Sequence, residues 1–225
     1  MPVQPGTPGA PHPPLVVYMA RPMEPQKVHV SESAMKKHVE SKKKFPELNL
    51  SEGEYVISAV KRHPIGLIQI WAGAGTVIVA LVAVLLVLTS GTMMSQMGGM
   101  DGALTPMILA IPVFLIAMLV VVFAFVATYI YNANKFFLTN ESVIQFIQTS
   151  LFSKRQQTVS LSNVEDASFS QDGIVPHLFN YGMIRLSTEG DETTYRFRYA
   201  SQPEKQIATL NNAVEAFKNG RPVGD

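Results

Sequence analysis

Three methionines, Met94, Met97 and Met100, repeat as M-x-x-M-x-x-M, with Met93 beside them. Thioethers are soft ligands that favour Cu(I) over harder ions, so this spacing is the chain's one candidate metal site. A flexible apolar turn is the plainer reading, because Gly98, Gly99 and Gly102 surround the motif. No cofactor is expected. The histidines are His12, His29, His38, His63 and His177. The first three lie in or near a proline-rich tail, and no Ser–His–Asp order, glycine-rich phosphate loop or metal-binding helix motif accompanies any of them. Glu165 and Asp166 are adjacent on an expected strand, so they point to opposite faces and do not share a site. There is no cysteine, which excludes thiol catalysis, disulfides and cysteine-ligated metals. An enzyme is not expected.

The basic residues offer a different chemistry. Lys36, Lys37, Lys42, Lys43 and Lys44 crowd into residues 31–44, SESAMKKHVESKKK, and Lys61 and Arg62 follow. Near an anionic leaflet each such charge contributes on the order of 1 kcal/mol. Together with Lys154 and Arg155 they form the expected set of leaflet contacts. The plainer reading of the lysine run is a solvated linker. Net charge is only +1, so the overall balance points to no partner, and nucleic acid is not expected.

What must position these residues is set by two charge-free stretches. Ile65–Ser90 and Met107–Tyr131 are 26 and 25 residues long, enough to span a hydrocarbon core of ~30 Å. Lys61, Arg62 and the five lysines precede the first stretch, and Lys135, Lys154 and Arg155 follow the second. The loop between them, residues 91–106, carries only Asp101. The positive-inside rule therefore predicts a transmembrane hairpin over 65–131 in the inner (plasma) membrane, with both termini cytoplasmic. Ala72, Thr76 and Ala80 form a small-residue ridge suited to close packing on the second span.

Before the hairpin, residues 1–30 read as a disordered tail. Six prolines in the first 14 residues leave no apolar core, so no cleavable leader is expected. Residues 31–64 read as a basic juxtamembrane segment with a short helix over 31–44. After the hairpin the period changes. KFFLT, SVIQFIQT, RQQTVSL, NVEDASFSQ, MIRLST and TTYRFRYA are short β-branched and aromatic runs separated by turn residues, which predicts at least six antiparallel strands. Ile207, Leu210, Val214 and Phe217 then fall on one helical face, with Ser201 as the expected cap and Gly220 as the stop. An all-β barrel over 134–219 with a C-terminal capping helix has the outline of a pleckstrin-homology-like (PH-like) domain.

Four stretches carry a family resemblance: LSEGEYVISAVKRHP (50–64), NKFFLTNESVI (134–144), VSLSNVEDASFSQ (159–171) and NYGMIRLST (180–188). In this order around two spans, they resemble the bacterial PH-like membrane proteins of the YdbS type. The resemblance implies a cytoplasmic PH-like domain, no enzyme activity and no catalytic or cofactor residues. The first β-hairpin turn, Thr139–Ser142, is acidic and lacks the Arg or Lys donors that phosphates need. The expected function is thus a membrane-anchored, non-enzymatic interaction or scaffold module on the inner leaflet. Its expected partners are membrane lipids and either an unidentified protein or a second copy of the chain. Two alternatives stand beside it. One is an accessory subunit of a pore or transporter, for which Gln69 and Thr76 are the modest mid-span candidates. The other is an anionic-lipid sensor using Lys36–Lys44.

Overall fold

A computed structural model of the chain describes residues 31–90, 104–188 and 194–223. The proline-rich tail, the Met94/Met97/Met100 motif and the turn at 189–191 lie outside the described residues. The elements run α1 (Glu32–Lys44), β1 (Val56–Lys61), α2 (Ile65–Leu88), α3 (Leu104–Ala133), β2 (Lys135–Thr139), β3 (Ser142–Gln148), β4 (Lys154–Ser160), β5 (Val164–Ser170), α4 (Ile174–Phe179), β6 (Tyr181–Thr188), β7 (Thr194–Ser201) and α5 (Pro203–Lys218). A single 3₁₀ turn, Leu161–Asn163, joins β4 to β5.

α2 and α3 are long and apolar enough to cross a membrane, and their side chains are mostly exposed, as in Val79, Phe114 and Phe125. They pack antiparallel: Tyr131 covers Gly66 at one level, and Trp71 meets Phe125 edge-on at 5.2 Å further along. A methyl group on Gly66 would overlap the Tyr131 ring, so this contact fixes the rotation of α2. The seam therefore follows Gly66 through Ala74, Ile78, Leu81 and Leu85, which are half-buried, while Ala72, Thr76 and Ala80 are exposed. The small-residue ridge expected to meet the second helix faces away from it.

The strands form two antiparallel sheets, ordered β1-β2-β3-β4 and β5-β6-β7. All six expected strands are present. The sequence reading divided the chain into a juxtamembrane segment over 31–64 and a β domain over 134–219; the sheet crosses that division. β1 lies before the hairpin and pairs along β2 after it, with Ala59 opposite Phe137, Val60 opposite Phe136 and Lys61 opposite Lys135. The two apolar helices are thus an insertion between neighbouring strands. The reason is chemical. β2 is apolar on both faces, and such a strand needs cover on each side and along its edge.

The inner face of the barrel supplies one cover. Val60, Phe136, Leu138, Val143, Leu161, Val164, Ile184, Leu186 and Phe197 are buried together, and α5 closes the end with Ile207, Leu210 and Ala213. Phe217 and Val214 pack against this core but are only half-buried. The outer face is covered from the N-terminal side. Leu48 and Leu50, with Phe45 beside them, bury Phe137, Ile144 and Phe146, and Phe45 meets Phe137 edge-on at 5.1 Å. α1 is fastened by Ser41 Oγ, which accepts from Val56 N at 3.0 Å, and by a 2.6 Å hydrogen bond between His38 Nδ1 and the Glu54 carbonyl. The basic segment is folded onto the sheet.

α5 begins without the expected Ser201 cap. Ser201 is committed to the β7 ladder opposite Tyr181, so Gln202 takes the cap position in a left-handed conformation, followed by Pro203. Leu210, 1% exposed, is among the helix's most deeply buried apolar residues. Leu210→Ala is expected to cost about 2–5 kcal/mol, read as a lower melting temperature of the detergent-solubilised chain. An unchanged melting temperature would remove α5 from the core.

Candidate functional site

The junction between hairpin and sheet is the most elaborate part of the molecule. Tyr131, in the last turn of α3, donates to the His63 carbonyl at 2.6 Å. His63 stacks on Tyr181 at 5.3 Å, and Tyr181 stacks on Tyr199 at 5.8 Å. Tyr199 donates to Gln69 Oε1 at 2.9 Å, reaching past the first turn of α2. On the other side, Asn134 donates to the Gln148 carbonyl at 3.1 Å and accepts from Gln148 N at 3.2 Å. Aromatic pairs of this kind add about 0.5–1.5 kcal/mol each beyond the area they bury. α2 and α3 are therefore held to β6, β7 and β3 by side chains as well as by the chain itself.

His63 has a defined protonation state here. Its Nδ1 accepts from Ile65 N at 3.2 Å, which requires a neutral ring, and burial lowers its pKa from the ordinary value. A positive charge at the start of α2 would also oppose the helix dipole. A group whose folded pKa is lowered in this way, when its neutral form is the bonded one, supports the fold above the unfolded histidine pKa. That support is lost as pH falls through the folded value. Stability is expected to fall on acidification below about 6.5, and His63→Gln should flatten this part of the profile. Parallel pH profiles for the two proteins would contradict the assignment.

Beside this collar lies a groove of about 390 Å³. Lys44, Lys61, Arg62 and Lys135 line it, with Glu47 as its one carboxylate, over a floor of Ala59, Val60 and Phe137. A second groove of about 360 Å³ shares Glu47, Asn132 and Lys135 and adds Tyr129 and Lys154. Lys135 Nζ bonds Glu47 Oε1 at 2.6 Å, and that hydrogen bond holds the Glu47 carboxyl below its ordinary pKa. The Arg62 guanidinium lies 5.2 Å from the Tyr131 ring and 5.9 Å from that of Phe197. Its Nε is buried with no hydrogen-bond acceptor among the described residues, and burial lowers its pKa from the ordinary value. Four cations against one carboxylate, in a concavity at the base of α2 and α3, form a local field suited to an anion.

The structure brings Lys44, Lys61 and Arg62 of the expected contact set into one groove and places Lys154 in the adjoining one, 4.9 Å from the Phe146 ring. Lys36, Lys42 and Lys43 are exposed on α1, and Lys37 lies 5.1 Å from the Tyr55 ring. Arg155 is exposed on β4. Sequence reasoning passed over Glu47, Tyr181 and Tyr199 and used Lys135 only as a flanking charge. The available signal was Lys135 itself, the first charged residue after the second apolar stretch, as Arg62 and Lys61 are the last before the first.

Two partly separate antiparallel sheets closed by a C-terminal helix define a PH-like domain, the fold of a class of interaction modules that are generally not catalytic. The model of the bacterial PH domain family matches residues 65–214, more than half the chain, so the chain belongs to that family. No curated protein and no solved structure matches it. The matched stretch starts at the first apolar helix, so β1, which completes the first sheet, lies outside it.

Proposed function

We propose that the chain is a membrane-anchored, non-enzymatic PH-like interaction module, with α2 and α3 crossing the inner membrane and both termini cytoplasmic. The observation that carries this is the insertion of the hairpin between β1 and β2. Chain enters and leaves the helices at the directly paired residues Lys61 and Lys135, so the domain sits against the leaflet in one orientation. It works by presenting an unpaired strand edge, β4 or β5, to a protein partner or a second copy. A free edge is a template for β-augmentation.

Photo-crosslinking tests the edge. A crosslinker at Ser168, exposed on β5, is expected to capture a discrete protein in native membranes, and one at Lys36 is expected not to. Equal capture at both positions would contradict edge binding. Orientation is tested by cysteine substitution on the Cys-free background. Gly99→Cys is expected to react with an impermeant thiol reagent in intact cells, and Asn219→Cys only after lysis. Reaction of residue 219 but not residue 99 in intact cells would reverse the topology.

The basic groove favours a second reading, in which an anionic lipid is the bound partner. Such binding weakens with salt because exposed charges are screened over ~8 Å at physiological ionic strength.

A further inference from the structure

Two connections of the β domain carry large apolar side chains that the described residues leave exposed. The β3–β4 turn presents Leu151 and Phe152, the latter 98% exposed. Helix α4, between β5 and β6, presents Ile174, Val175, Leu178 and Phe179, with Ile174 85% and Leu178 74% exposed. Most of the β domain's other large apolar residues are packed into its two cores, and Phe169 on β5, at 39%, is far less exposed than Phe152, Ile174 or Leu178, so these tips need a separate explanation.

Both connections lie at the end of the domain that meets the hairpin. β3 runs back toward α3, and its last residue, Gln148, is doubly bonded to Asn134. The turn follows at once, closed by Thr149 N donating to the Ser153 carbonyl at 3.2 Å, and Lys154 behind it shares a groove with Tyr129 of α3. α4 is capped by Asn180, next to Tyr181, whose ring stacks on His63 just before α2. Gln171, at the near end of the same connection, donates to the Tyr181 carbonyl at 3.1 Å. One tip therefore sits beside the base of α3 and the other beside the base of α2.

We propose that these two tips insert into the headgroup–acyl boundary of the bilayer that the hairpin crosses, so that the domain is seated on the leaflet at two further points. The inference rests on the membrane-spanning reading above. Lipid is the occupant because the tips are continuous with the helix bases, and any bilayer around those bases meets them too. Charge agrees: Lys154 and Arg155 stand directly behind Phe152, where anionic headgroups would lie. Exposed apolar patches of this kind mark interaction surfaces, and short apolar faces bury themselves at this depth of a membrane.

The test uses the full chain in phosphatidylcholine–phosphatidylglycerol vesicles. Single cysteines replace Phe152, Leu178, Glu165 and Val84, each labelled with an environment-sensitive fluorophore. Glu165, exposed beside Val164 at the opposite end of the domain from Ser170 and Met183, reports the aqueous side, and Val84 reports the span. Labels at 152 and 178 are expected to shift to the blue and lose emission severalfold to a nitroxide high on the acyl chain, while the label at 165 does neither. The label at 84 is expected to be quenched by a nitroxide deep in the bilayer. If 84 is quenched but 152 and 178 behave like 165, seating is overturned and the spanning reading stands. If 84 is not quenched, the spanning reading fails and takes the proposal with it. A blue shift at 152 and 178 without nitroxide quenching identifies protein contact instead and overturns lipid insertion.

Discussion

Residues 134–225 produced alone are expected to stay unfolded, whereas a chain in which Lys61 is joined to Lys135 by Asn-Gly is expected to fold as a soluble domain. The first half follows from what β1 and its lead-in supply. Without them β2 loses its ladder partner, Val60 leaves the core, and Phe137, Ile144 and Phe146 lose the cover of Leu48 and Leu50. The bond from the Tyr55 hydroxyl to the Val223 carbonyl is lost as well. Fully burying one large apolar side chain contributes about 1.5–3 kcal/mol, and several are exposed at once. Their sum is comparable to the ~5–15 kcal/mol that keeps a typical domain folded, and the lost β1–β2 ladder adds to it. The second half follows from register. Lys61 and Lys135 face each other across an antiparallel pair, the geometry that a two-residue Asn-Gly turn closes. Circular dichroism melts and amide NMR dispersion of the two proteins decide the matter. A cooperative melt from residues 134–225 would show that β1 is dispensable.

Glu54→Ala is expected to be among the most damaging single substitutions outside the apolar core. Glu54 is 4% exposed, and three donors converge on its carboxylate. Thr139 Oγ1 donates at 2.6 Å and Ser142 Oγ at 2.7 Å to one oxygen, and Ser51 N donates at 2.9 Å to the other. The carboxylate thus ties the approach to β1 onto the β2–β3 turn. Each buried donor left without an acceptor costs about 1–3 kcal/mol, so the loss is several kcal/mol in sum. Glu54→Gln keeps one acceptor oxygen and should fall between wild type and Ala. Denaturant midpoints of the three proteins test the order. If Ala is no worse than Gln, the donors have found other partners and the network is not what holds the turn.

The parts of this fold that were legible in the sequence are those whose signal is local. Ile65–Ser90 and Met107–Tyr131 announce themselves by the absence of charge. β2 to β7 do so by period-two runs such as SVIQFIQT and YRFRYA, and α5 by Ile207 and Leu210 on one face. What was not legible depends on partners far away in the chain. VISAVK is short and only moderately apolar, and its ladder partner comes after two whole helices, so nothing nearby marks it as a strand. Leu48 and Leu50 look like isolated apolar residues in a polar linker until Phe137 and Phe146 are placed beneath them. α4 carries little local signal, because IVPHLF contains a proline and is only six residues long. The site divides in the same way: Lys44, Lys61 and Arg62 were visible as a basic approach to the first helix. Lys135 and Glu47 join them only because β1 and β2 are neighbours.

The placement of the hairpin inside a sheet also bears on how the molecule is made. β1 leaves the ribosome first and has no partner until both helices and β2 have been synthesised. Val60 must wait for Phe136. On the membrane-spanning reading proposed above, the two strands meet only when both helices insert or neither does. A chain that integrates one helix and not the other leaves β1 and β2 on opposite sides of the membrane, where no sheet can close. On that reading, completion of the barrel excludes the half-inserted chain. Misinserted chains keep Phe137, Ile144 and Phe146 uncovered, the kind of surface that quality-control proteases and chaperones bind.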